Sequence, residues 1–180
     1  MRIIGGIFKG RNLTAFDCDK IRPTSDMARE SLFNILRDKV TDCAFLDLFG
    51  GTGAVGIEAL SRGASNVVIV EAYKDSLKVA QKNLDIIKNP DGIKLINRDA
   101  VGYLIDCGES FDIIFIDPPY KSDIISSVFK AISEGDVLKT GGVVVIETET
   151  PYVGETYSLS KCDERKYGRA RFAFFKMEQK

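Results

Sequence analysis

The chain has 180 residues, 44% of them hydrophobic and 28% charged, no histidine, and a formal net charge of −1. This suits one soluble domain with a real core. No apolar run approaches the ~18–20 residues of a membrane span, and the opening MRIIGGIFKGR lacks a signal-peptide core, so a cytosolic location is expected. The cysteines Cys18, Cys43, Cys107 and Cys162 are scattered; with no histidine, neither a metal site, a disulfide framework nor imidazole catalysis is expected.

In chain order, residues 2–8 and about 11–16 suggest a short β-hairpin with Gly10 near its turn. Ile21-Arg22-Pro23 reads as an extended lead-in, Thr24 as a helix N-cap, and Asp26 as a first-turn acid. Ala28, Leu32, Ile35 and Leu36 then mark one helical face. Strand and helix alternate from there: a strand over 44–49, a helix over 54–62, a strand over 66–70, and a helix over 73–87 with Leu77, Ala80, Leu84 and Ile87 on one face. A strand over 93–97 and a short helix from about Ala100 follow, then a strand over 111–116 and a helix over 122–133. A strand over 142–147 follows a Gly-Gly turn, and segments 157–162 and 171–177 suggest a closing hairpin. Near-continuous apolar strands alternating with helices predict an α/β fold with a doubly wound, mostly parallel sheet. A single domain over 1–180 is expected, with a basic extension over 1–22 and the core over 23–180.

The charge is unevenly placed. Residues 1–22 carry about +3 and residues 161–180 about +4, which leaves the middle near −8. Two basic ends on an acidic body suit a polyanionic partner, though either end alone reads better as solvated surface.

The first core strand runs into Asp47-Leu48-Phe49-Gly50-Gly51-Thr52-Gly53-Ala54-Val55-Gly56. Gly51, Gly53 and Gly56 spell G-x-G-x-x-G between a strand and a helix, the setting in which glycines admit a nucleoside cofactor to the backbone. Twenty residues on, Glu71 ends the next strand, where a carboxylate accepts ribose hydroxyls. A dinucleotide would share these features. Asp47 argues against one, since it would face a pyrophosphate unfavourably and suits the cationic amino group of S-adenosylmethionine. Asp99 reads equally as an acceptor for an adenine amine and as a helix N-cap.

Asp117-Pro118-Pro119-Tyr120 directly follows the apolar run FDIIFI. Two prolines stiffen the loop and leave carbonyls as free acceptors. A carboxylate, a carbonyl and an aromatic face at a strand's carboxyl end suit a planar base with an exocyclic amine; the bland alternative is a strand-to-helix turn.

These motifs resemble those of class I S-adenosylmethionine-dependent methyltransferases. Across almost its full length the chain is more narrowly similar to the bacterial family that methylates guanine N2 in 16S ribosomal RNA. The similarity runs through RIIGG and KGR, RPTSDMARESLFNIL, FLDLFGGTGAVGIEALSRGA, DPPY, and Tyr167-Gly168 before a closing strand. The resemblance implies a Rossmann-like, seven-stranded, mostly parallel sheet with an antiparallel C-terminal hairpin. It implies S-adenosylmethionine held by Thr24, Asp47, Phe49, Gly50, Gly51, Thr52, Gly53, Glu71, Ala72, Asp99 and Ala100, with Asp117, Pro118, Pro119 and Tyr120 as the catalytic motif. RNA contact is expected from Arg2, Lys9, Arg11, Arg22, Lys121 and Arg169, and Arg29 is expected to pair with a strand-end acid. The implied partner is 16S ribosomal RNA or an assembling small subunit, acted on by a monomer without metal. Three rivals stand beside this reading: an adenine-N6 DNA methyltransferase, whose amine DPPY also serves, a dinucleotide-dependent oxidoreductase, and a nucleic-acid-binding protein with a vestigial cofactor pocket.

Overall fold

The computed structural model of the chain describes residues 1–16, 25–118 and 122–178. Seven strands form one sheet in the order β3-β2-β1-β4-β5-β7-β6: β1 (Ala44–Leu48), β2 (Asn66–Glu71), β3 (Ile93–Asn97), β4 (Phe111–Ile116), β5 (Leu138–Thr148), β6 (Leu159–Tyr167) and β7 (Ala170–Met177). The pairs from β3 through β5 are parallel, and β7 runs antiparallel to both β5 and β6. The expected Rossmann-like sheet with a closing antiparallel hairpin is therefore present, with the last strand inserted between the two before it.

The helices are α1 (Asp26–Leu36), α2 (Ala54–Ser61), α3 (Lys74–Ile86), α4 (Ala100–Asp106) and α5 (Ser122–Glu134). Period-two alternation along each strand feeds two cores. Phe45, Ile69, Ile113 and Val145 join α1, α2 and Leu84 of α3 on one face, while Leu46, Val68, Ile114 and Val144 join α4 and α5 on the other. Among the described residues, no helix is long and apolar enough to cross a membrane.

Three local features differ from the sequence expectations. The N-terminal hairpin is present but short: Arg2 bridges Asn12, with Ile3 N–H donating to the Arg11 carbonyl and Leu13 N–H to the Met1 carbonyl, each at 3.0 Å. The segment between them bonds to α2 instead: Ile4 N–H and Gly5 N–H donate to the Glu58 carboxylate, each at 2.8 Å, and Ile7 N–H donates to the Ser61 carbonyl at 2.8 Å. It is a strap over α2, which explains why every residue of that helix is buried. Secondly, Ser25 caps α1, its hydroxyl accepting from Ala28 N–H at 3.1 Å; Thr24, the expected cap, lies outside the described residues. Thirdly, β5 begins at Leu138, ahead of the Gly-Gly turn. Phe111 pairs with Leu138 but Ile113 with Val143, so the glycines occupy a bulge inside the strand.

Candidate active site

Strand β1 lies between β2 and β4, so the chain winds outward from β1 in one direction and returns on its other side. Such a reversal parts the connecting loops and leaves a crevice at the strands' carboxyl ends. A cleft of about 990 Å³ opens there. One wall is the loop Phe49 to Thr52 with Asp47 and Glu71; Asp117 and Pro118 extend from β4 beside it. Residues 147–154, from the last two residues of β5 into the loop beyond it, and the β6–β7 turn at 167–170 form the far wall, with Phe16, Ser25 and Met27 at the margin.

The glycine loop is held by the acids around it. Period-two alternation puts Asp47 on the α2 side of the sheet. The residue is only 2% exposed and accepts from Gly56 N–H, in the first turn of α2, at 2.9 Å. Burial pushes its carboxyl up to about 7; the Gly56 bond opposes that rise and the Glu71 charge adds to it. Glu71 accepts from Gly51 N–H and from Tyr73 N–H, each at 2.8 Å. Two backbone donors use half of a carboxylate's roughly four acceptor positions, and a ribose diol needs the other two. Gly53 N–H donates to the Gly50 carbonyl at 2.7 Å, and Gly53, at φ +74, stands as the N-cap of α2. At Gly56 a Cβ would lie 2.6 Å from Ile69 Cγ1, so glycine there permits α2 to sit close on β2.

Opposite this loop, Asp117 N–H meets the Leu48 carbonyl at 3.5 Å, fixing the β4 end to the β1 end. Asp117 and Pro118 therefore stand across the switch point from the glycine loop. Among the expected cofactor residues, Asp47, Phe49, Gly50, Gly51, Thr52 and Glu71 line the cleft. Gly53, Ala72, Asp99 and Ala100 are absent from its lining. Asp99 is the N-cap of α4, accepting from Gly102 N–H at 2.7 Å. Thr24, Arg22, Pro119, Tyr120 and Lys121 lie outside the described residues. Arg2, Lys9, Arg11 and Arg169 are exposed, and only Arg169 among them lines the cleft. Arg11 lies 5.0 Å over the Phe8 ring.

Arg29 is a correction. Among the described residues it pairs with no strand-end acid: its fully buried guanidinium meets Asp26 at 3.0 Å and Glu58 at 3.6 Å and donates to the Arg2 carbonyl. Glu58 also accepts from Arg62 Nε at 2.7 Å. Sequence reasoning passed over Glu58, whose signal was one charge in the otherwise apolar run AVGIEAL. It also passed over the far wall of the cleft, because residues 147–154 carry no periodicity and meet the glycine loop only through the fold.

The model of the family described as conserved hypothetical protein 95 matches residues 1–176. Ribosomal RNA small subunit methyltransferase D of Escherichia coli strain K12 is 31% identical, over 99% of this chain and 90% of its own. The Haemophilus influenzae protein of the same name is 33% identical, over 83% and 79%. The solved structure of yhhF from Escherichia coli superposes with a TM-score of 0.85 at 29% identity, covering 99% of this chain and 98% of that one. The chain belongs to this family.

Proposed function

We propose that this family member transfers the methyl group of S-adenosylmethionine to the exocyclic N2 amine of a guanine in 16S ribosomal RNA, with residues 1–180 acting as one domain. The observation that carries the reading is the opposition, across one switch-point cleft, of the Glu71-anchored glycine loop and Asp117-Pro118. The relatives named as small-subunit ribosomal RNA methyltransferases support the substrate class.

The residues fit such a cofactor. The backbone of Phe49 to Thr52 cradles the nucleoside, Glu71 accepts from the ribose, and Asp47 complements the cationic amino group. The cofactor supplies an electrophilic methyl on a sulfonium; the protein supplies position and dipoles. Guanine N2 is a poor nucleophile because its lone pair is delocalised into the ring. Acceptance of its two N–H bonds by the Asp117 carboxylate and the Pro118 carbonyl would localise that pair toward the methyl. In this reading Asp117 also takes the released proton. Tyr120, two residues after Pro118 in sequence, is the candidate to stack on a base drawn out of its helix. Contact with RNA is assigned to Arg2, Lys9, Arg11, Arg22, Lys121 and Arg169.

The test is incubation of the purified chain with methyl-labelled S-adenosylmethionine and unmethylated small-subunit particles, then digestion and identification of the labelled nucleoside. N2-methylguanosine is expected. Label on adenine, or on DNA supplied in parallel, would overturn the assignment.

A further inference from the structure

Asn83 is fully buried on α3, inside the apolar face formed by Ala80, Leu84 and Ile87. A buried carboxamide among apolar side chains is costly unless its hydrogen bonds are met. Here they are met by two segments far apart in sequence. Asn83 Oδ1 accepts from Thr14 N–H at 2.7 Å, and Nδ2 donates to the Thr14 carbonyl at 3.1 Å and to the Thr52 carbonyl at 2.9 Å. Thr14 continues the chain two residues past the Asn12 bridge that closes the strap carrying Arg2, Lys9 and Arg11; Thr52 belongs to the loop that lines the cleft. A second link joins the same two segments, since the Thr52 hydroxyl contacts the Met1 sulfur at 3.9 Å, and Met1 O in turn accepts from Leu13 N–H at 3.0 Å. Two residues beyond Thr14, Phe16 reaches the cleft.

We propose that Asn83 is a positioning residue that couples the basic strap to the cofactor loop, so that RNA on the strap and cofactor in the cleft strengthen each other's binding. The inference rests on the function proposed above. The carboxamide can satisfy Thr14 and Thr52 together only in one rotamer and one strap-to-loop distance. RNA that immobilises the strap therefore fixes Asn83, and Asn83 fixes the Thr52 carbonyl. A cofactor entering next loses less freedom in ordering the loop, which is positive coupling without a change of shape. Linkage makes the effect reciprocal, and couplings of this kind run from about 5-fold upward.

The experiment titrates the full chain with S-adenosylhomocysteine, which binds without turnover, in the absence and presence of unmethylated small-subunit particles. The wild-type chain is expected to bind the nucleoside at least ~5-fold more tightly with particles present. Asn83→Leu, of similar size but without the hydrogen bonds, is expected to bring that ratio to about 1, with the decrease in turnover falling on the cofactor KM measured with RNA. Thr14→Pro removes the N–H that donates to Asn83 Oδ1 while changing only an exposed side chain, and is expected to lower the ratio as well. A purely structural Asn83 would lower the melting temperature of the Leu variant and leave the ratio unchanged. That outcome overturns the inference, as does a wild-type ratio of 1 while nucleoside and particles both bind. Failure of the wild-type chain to bind S-adenosylhomocysteine at all would overturn the function proposed above together with it.

Discussion

Replacing Glu58 by alanine tests whether the strap is fastened by a buried charge cluster. The Glu58 side chain is fully buried and accepts from Ile4 N–H, Gly5 N–H and Arg62 Nε, at 2.7 to 2.8 Å. It also faces the fully buried Arg29 guanidinium at 3.6 Å. Removing one partner of a buried pair typically costs ~3–5 kcal/mol, because the other charge stays buried. Arg29 retains Asp26 at 3.0 Å, a partner 44% exposed, and the freed strap N–H groups can reach water. Both facts place the expectation at the low end, about 3 kcal/mol. For a chain of this size that lowers the melting temperature by roughly 6–12 °C. Urea unfolding at constant slope gives the free energy directly. The double variant Arg29→Met/Glu58→Leu removes both charges while keeping volume, and is expected to recover at least half of the loss. A Glu58→Ala loss below about 1 kcal/mol, or a double variant worse than the single one, would refute the argument.

Asp47 sets a pH dependence. Its carboxyl titrates near 3.8 in an unfolded chain and at about 7 when folded. Between those values the folded chain holds a proton that the unfolded chain has released, so the unfolding free energy falls as pH rises and levels off above about 7. At about 1.4 kcal/mol per pKa unit the full span is on the order of 4 kcal/mol. Asp47→Asn is expected to flatten the profile in denaturant titrations from pH 4 to 8 and to weaken S-adenosylmethionine binding at pH 8; an unchanged profile would remove Asp47 as its source. Asp117→Ala is expected to abolish turnover and leave cofactor affinity within a few-fold by calorimetry, whereas loss of cofactor binding would contradict its role at the amine. RNA affinity is expected to fall steeply with salt. The triple change of Arg2, Lys9 and Arg11 to alanine is expected to lower the log–log slope by about 0.7 for each phosphate of single-stranded RNA that these side chains neutralise; an unaltered slope in filter binding would move the interface elsewhere.

The strands and their order of use were legible in the chain itself. Runs such as NVVIV and FDIIFI are apolar on both faces because helices cover both, so their assignment needed no partner. The glycine loop and Glu71 were legible because a strand-to-helix turn with fixed spacing is a local object. Element ends were not. Where β5 begins and how far β6 extends depend on hydrogen bonds from β4 and β7, and pairing partners lie outside any local window. The hairpin is shorter than its sequence suggested for the same reason: the donors of Ile4, Gly5, Ile7 and Phe8 are met by Glu58 and Ser61, more than fifty residues away. Ser25 competed with Thr24 as the cap on equal local chemistry, and only the folded chain separates adjacent hydroxyls. Charges posed the hardest case. A carboxylate such as Glu58 or an arginine such as Arg29 reads as surface in a sequence, because burying either alone is prohibitive. Tertiary structure makes that burial possible by bringing the two together, and no pattern along one element can show a partner on another.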